Sequence, residues 1–142
     1  MIETFQNRPG TIAEIAQWAK THSQRFDASV REFLDQWQSM PQIMRAAAIA
    51  QEPASIGVIQ DAYLAGLAEH LALSDHMEVP EWVQESDRFL DVPFFAGGLE
   101  SLKAILLVES PLAFRRRLIF ISADALSRPL RKFNASNAAI NA

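Results

Sequence analysis

The residues best equipped for chemistry in this 142-residue chain are three consecutive arginines, Arg115, Arg116 and Arg117, set between two apolar runs. Guanidinium groups bind carboxylates and phosphates through charge-assisted, often paired hydrogen bonds, so a triplet of them suits an acidic protein surface or a nucleic-acid backbone. A second cluster, Asp61, Glu69, His70, Asp75, His76 and Glu78, holds the ligand types that zinc or iron accepts. Its spacing fails for a metal. His70 and His76 are six residues apart and point in different directions on one helix, and the chain contains no His-x-x-x-His or Glu-x-x-His pair. Nucleophilic catalysis has still less to work with: there is no cysteine and no Gly-x-Ser-x-Gly turn. Gly97-Gly98 lacks the lysine and the spacing of a phosphate loop. These patterns predict a protein that is not an enzyme and carries no cofactor or metal.

The elements that must position the arginines read as helices throughout. Ile12, Ile15, Ala16 and Ala19 share one side of a first helix that Thr11 can cap, and Val30, Phe33, Leu34 and Trp37 share one side of a second, begun after Asp27. Arg31 and Asp35 pair on its outer face. A third starts at Pro41, continues through Ile43, Met44 and Ala47, and ends before Pro53. The fourth, central helix carries Ile59, Tyr63, Leu64, Leu67 and Leu71 on one face and runs to about Leu73. A fifth from about Leu99 to Glu109, apolar on more than one side, predicts burial from several directions. Ser110 and Pro111 open a sixth, and Ser122 with Asp124 a short seventh that Pro129 stops. In the sixth, Phe114, Leu118 and Ile121 form the apolar stripe, Arg116 points away from it, and Arg115 and Arg117 lie on its flanks. Strands are poorly supported, the run Leu118 to Ile121 being too brief. The expected fold is all-α: a compact bundle of six or seven short helices forming one domain over residues 1–133, with a flexible tail over 134–142.

Between helices four and five the periodicity stops at Pro80, Pro93 and Gly97-Gly98, although Pro80 can open a single turn through Glu81, Trp82 and Val83. Trp82, Val83, Phe89, Leu90, Phe94 and Phe95 make this long connection too apolar for a disordered linker, so it must lie on the body. It can cover the core, or Trp82, Phe89, Phe94 and Phe95 can join Arg115, Arg116 and Arg117 in a docking surface for another protein.

Charge is uneven along the chain. Residues 1–102 carry six Lys or Arg against fifteen Asp or Glu, whereas residues 103–142 carry seven against two. Either the basic end folds back on the acidic body, one arginine stapling the sixth helix to it, or Arg116, Arg128, Arg131 and Lys132 face outward toward a nucleic-acid backbone. A helix-turn-helix over residues 11–38 is disfavoured as a DNA reader, because the outer side of its second helix mixes Arg31 and Gln38 with Glu32 and Asp35. The lack of cysteine, of an apolar leader after MIETFQNRPG and of a run of ~20 apolar residues predicts a cytoplasmic protein without a membrane span.

REFLDQW (31–37), QEP (51–53), DAYLAGLAEHLAL (61–73) and above all ESPLAFRRRLIFISADAL, within 99–128, resemble a family of small bacterial all-helical proteins. The resemblance covers about residues 28–128 and leaves the first 27 outside. It implies a helical partner protein whose gene lies beside one for a nucleotidyltransferase-like protein, similar to a toxin and antitoxin pair. It brings no catalytic residue.

Overall fold

Thr11 starts the first helix as its chemistry suggests: its hydroxyl accepts from the Glu14 amide at 3.1 Å, and the Glu14 carboxylate accepts from the Gly10 amide at 2.6 Å. A computed structural model describes residues 9–122 and 124–128 of the chain. Its helices are α1 (Ile12–Thr21), α2 (Phe26–Trp37), α3 (Gln42–Ala50), α4 (Val58–Ser74), α5 (Lys103–Glu109) and α6 (Leu112–Arg115). Short 3-10 turns occupy Ser23–Arg25, Glu81–Gln84, Ser86–Arg88 and Glu100–Leu102. The molecule is mostly helical, in agreement with the all-α reading.

α1 and α2 pack as a pair through the residues that the helical period selects, Ile12, Ile15 and Ala16 against Val30, Phe33, Leu34 and Trp37. α2 begins at Phe26, one residue before Asp27, so Asp27 lies in the first turn and contributes its charge there rather than a side-chain cap. α4 is the centre of the structure. It is buried nearly all round, from Asp61 and Ala62 through Leu64, Leu67 and Ala68 to Ala72, because α6 and the two turns after Pro80 cover sides that α1 and α2 do not. Gly66 allows this: a Cβ there would stand 3.0 Å from the Phe114 ring, so only glycine lets α6 approach so closely.

Arg45 ties three helices at one end. Its Nε donates to the Trp37 carbonyl at 3.0 Å and its Nη2 to that of Gln38, satisfying the end of α2, while Nη1 pairs with Asp75 at the end of α4 at 2.6 Å.

Several expectations are corrected. α3 buries Ala48 and Ile49, leaving Ile43 and Met44 on the outside at 81% and 55% exposure. α6 is a single turn that stops at Arg115, and Leu118 takes a left-handed φ of 63°, which ends the helical stripe before it reaches Leu118 and Ile121. Residues 119–120 instead form β2 (Ile119–Phe120), parallel to β1 (Phe94–Phe95) in the loop after α4, with Phe94 opposite Ile119 and Phe95 opposite Phe120. Ser110 does not cap α6; its hydroxyl donates to the Leu106 carbonyl at 2.6 Å and accepts from the Ile121 amide at 2.8 Å, linking the end of α5 to the residue after β2. Among the described residues, 124–126 form a turn where a seventh helix was expected, and the predicted tail over 134–142 lies outside the described residues. Among the described residues, no helix is long and apolar enough to cross a membrane.

Candidate functional site

The three arginines meet three different fates. Arg117 is fully buried, its Nη1 donating to Glu69 at 2.5 Å and to the Ala113 carbonyl at 2.7 Å, and its Nη2 to the Val83 carbonyl at 2.6 Å. The Phe89 ring covers it, 4.5 Å from guanidinium carbon to ring centroid, while its Nε has no hydrogen-bond partner among the described residues. Burial pulls this guanidinium below its ordinary pKa, and the hydrogen bond and charge of Glu69 oppose that pull. Arg116 is exposed, as expected, and from there its guanidinium also reaches Glu69, at 2.7 Å, and Gln84 at 3.1 Å. Arg115 is exposed too and donates to the Ser110 carbonyl at 3.0 Å. The triplet is therefore a joint between α6, the central helix and the loop after it. Ala113, Phe114 and Arg117 are buried at helical spacing, and helical hydrogen bonds run as far as Arg116, so Arg117 faces inward before Leu118 takes its left-handed φ.

Glu69 lies on α4, so the basic third does close on the acidic body. Arg128 repeats the pattern, donating to Asp35 at 2.9 Å and thereby taking the carboxylate that Arg31 was expected to hold. Arg131 and Lys132 lie outside the described residues.

The aromatic residues of the loop are spread from the interior to the surface. Trp82 is buried and its indole donates to the Ile49 carbonyl at 3.0 Å, which places it inside rather than on a docking surface. Phe89 stands partly exposed over Arg116 and Arg117. Phe95 stacks on Phe120 at 4.8 Å between ring centroids, and Phe94 lines a depression of about 290 Å³ beside Phe26, Tyr63 and Ile121. Asp27 is the single charged residue among the described walls of that depression. Burial and the nearby Asp27 carboxylate push the Tyr63 phenol up to about 12.

Arg88, which no motif singled out, clamps this loop from within. It is 3% exposed and donates to the Pro53 carbonyl at 2.8 Å, to that of Asp61 at 3.3 Å and to Glu52 at 3.2 Å. The acidic and histidine cluster is parcelled out among such contacts. Asp61 accepts from Ser55 and from the Ile56 amide, Glu69 holds two arginines and Asp75 holds Arg45, while His70 sits half-buried against Phe114, where desolvation lowers its pKa. Among the described residues, no three His, Cys, Asp or Glu side chains gather as a metal would need.

The least covered of the described helices is α5, which packs on β2 along one edge. Of its seven residues only Leu106 is buried; Leu99, Leu102, Ile105, Leu107, Val108 and Leu112, on it and at its two ends, remain between 38% and 76% exposed. This overturns the expected burial from several sides. A helix apolar all round is ordinarily a core element, and this one rests on the body along one edge only, so the rest of its apolar surface is available to something else. The signal was present in the sequence: a short segment fenced by Gly97-Gly98 and Pro111, with an unbroken apolar run from Ala104 to Val108.

Compared with protein-family models, curated proteins and solved structures, the chain matches none of them.

Proposed function

We propose that this chain is a non-enzymatic partner protein that docks another protein on the outer face of α5. One observation carries the reading: six large aliphatic side chains over residues 99–112 are left between 38% and 76% exposed along one short stretch. Exposed apolar area of this kind, rimmed by Glu100, Lys103 and Arg115, is what protein interfaces are made of. The half-exposed Phe95, whose ring lies 5.0 Å from the Lys103 ammonium, adjoins the start of the same helix and extends the face toward the loop. A nucleotidyltransferase-like protein, held and restrained in an antitoxin-like manner, is the partner to try first, as the sequence resemblance implies.

A nucleic-acid reading has less support, since Arg116 and Arg128 spend their charge on Glu69 and Asp35. The test is a binding titration between the purified chain and the nucleotidyltransferase-like protein. Val108→Glu is expected to weaken the complex by about tenfold or more, because it puts a charge into an apolar contact. An affinity unchanged by Val108→Glu would remove α5 as the docking face.

A further inference from the structure

Asp27 is a carboxylate that the described chain leaves uncommitted. Glu32, Asp35, Glu69 and Asp75 are each held by an arginine, whereas Asp27 has no ion-pair or hydrogen-bond partner for its side chain among the described residues. The cations near it along α2 do not close on it. Arg25 stands 3.5 Å from Glu32, and Arg31, one turn on, lies outside the depression that Asp27 lines and pairs with no carboxylate among the described residues. Its place in the first turn of α2 favours the ionised form.

The depression of about 290 Å³ beside Asp27 is walled by rings. Phe26 and Tyr63 meet at 80° with their centroids 5.9 Å apart, so they make two adjoining walls, and Phe114 props Tyr63 from behind at 5.0 Å. Phe94 and Ala96 line the depression, and the side chain between them turns the other way: Phe95 stacks on Phe120 and takes the Lys103 ammonium over its ring at 5.0 Å. Lys103 is thus on the other side of the β1/β2 pair. The Tyr63 phenol, pushed up to about 12, stays neutral near pH 7, which leaves the described walls with one negative charge.

Aromatic faces attract cations, and a single carboxylate in an otherwise apolar hollow selects one positive charge attached to an apolar body. An anion would meet Asp27 with like charge, and a divalent metal would find one carboxylate where it needs several oxygens. We propose that this depression binds a small organic ammonium ion, its charged group against Asp27, Phe26 and Tyr63 and its apolar body toward Phe94 and Ile121. The site is separate from the docking face of α5 and stands or falls without it.

Calorimetric titration of the full chain with phenethylammonium chloride tests the proposal, with phenethyl alcohol as the uncharged control of similar shape. The cation should bind with a dissociation constant of about 1 mM or tighter, and the alcohol about threefold or more weakly than that. Asp27→Asn should weaken the cation about threefold or more and leave the alcohol unchanged. Phe26→Leu, with its helical circular dichroism intact, should also cost the cation more than the alcohol, because leucine keeps the apolar area and loses the ring face. Asp91→Asn should change nothing: Asp91 is the one charge in the described walls of a neighbouring depression of about 400 Å³, which shares Ile59 and Phe94 with this one. No binding of the cation at about 10 mM, equal binding of cation and alcohol, or an Asp27→Asn chain that binds like the wild type would overturn the proposal. So would an equal loss in Asp91→Asn, which would mark a response to net charge alone. Should Phe26→Leu lose its helical signal, Asp27→Asn still decides, since that carboxylate has no partner in the described fold to lose.

Discussion

Glu69→Ala would remove the carboxylate that neutralises Arg117 and Arg116 together, and the consequences follow from where those arginines are. Arg117 has no exposed surface, so its charge cannot turn to water when the partner is lost. Breaking a buried pair by deleting one member costs about 3–5 kcal/mol, because the remaining ion keeps its desolvation penalty without compensation. Arg116, with its side chain 35% exposed, can re-solvate and adds little. In a chain of this length the loss corresponds to a fall in melting temperature of about 10–20 °C. Urea unfolding followed by circular dichroism would measure it directly. The double variant Glu69→Ala/Arg117→Met provides the internal check: it removes the stranded charge and fills its volume with a flexible apolar chain. The Ala113 and Val83 carbonyls then lose their donor, so recovery is expected to be partial, about 1–3 kcal/mol. If Glu69→Ala cost less than about 1 kcal/mol, or if the double variant were no more stable than the single one, the account of Arg117 as a buried, singly compensated charge would be wrong.

Gly66→Ala should destabilise even though alanine is the better helix former by about 1 kcal/mol, since the new Cβ would stand 3.0 Å from the ring of the fully buried Phe114. With overpacking costing about 1–3 kcal/mol, a net loss near 1 kcal/mol is expected in denaturant melts, and a gain would show that α6 can move aside. Tyr63 is the sole tyrosine, so the ultraviolet absorbance of tyrosinate reports on it without ambiguity. Its half-ionisation should fall at about 12 rather than at the ordinary 10. The sign follows from linkage: between these values the folded chain holds a proton that the unfolded chain has released, so the stabilisation is complete below pH 10 and is lost as pH rises toward 12. Half-ionisation near 10 in a chain whose circular dichroism is still native would contradict the burial of the phenol.

The elements differ in how much of them could be read from the chain. α1 and α2 are long enough for the 3.6-residue period to declare an inner face, and Ile12, Phe33 and Trp37 are buried where that period puts them, whereas α4 is buried on nearly every side and Ile59, placed on its expected inner face, is 36% exposed. α3 and α5 are nine and seven residues long and apolar on most sides, so the pattern specifies a helix without saying which side is covered. That is why Ile43 and Ile105 lie outside although their residue type suggests otherwise. The pairing of Phe94 with Ile119 was illegible for another reason: two-residue strands have no period to detect, and their hydrogen bonds, from the Phe94 amide to the Leu118 carbonyl and from the Ala96 amide to that of Phe120, join segments more than twenty residues apart.

By itself the sequence determined the helical class, the inner faces of α1 and α2, and the excess of positive charge in the last forty residues, to be met either by the acidic body or by an outside partner. Periodicity and charge are summed along a segment and need no knowledge of its neighbours. Only the tertiary structure decided which arginine is inside. That depends on what packs on the buried side of α6: Arg117, in line with Ala113 and Phe114, meets Glu69, forty-eight positions away, and the Val83 carbonyl. It also decided that most of the aliphatic side chains of α5 stay exposed. Burial is a property of what packs on a residue rather than of the residue, and along most of α5 the described chain provides nothing to pack.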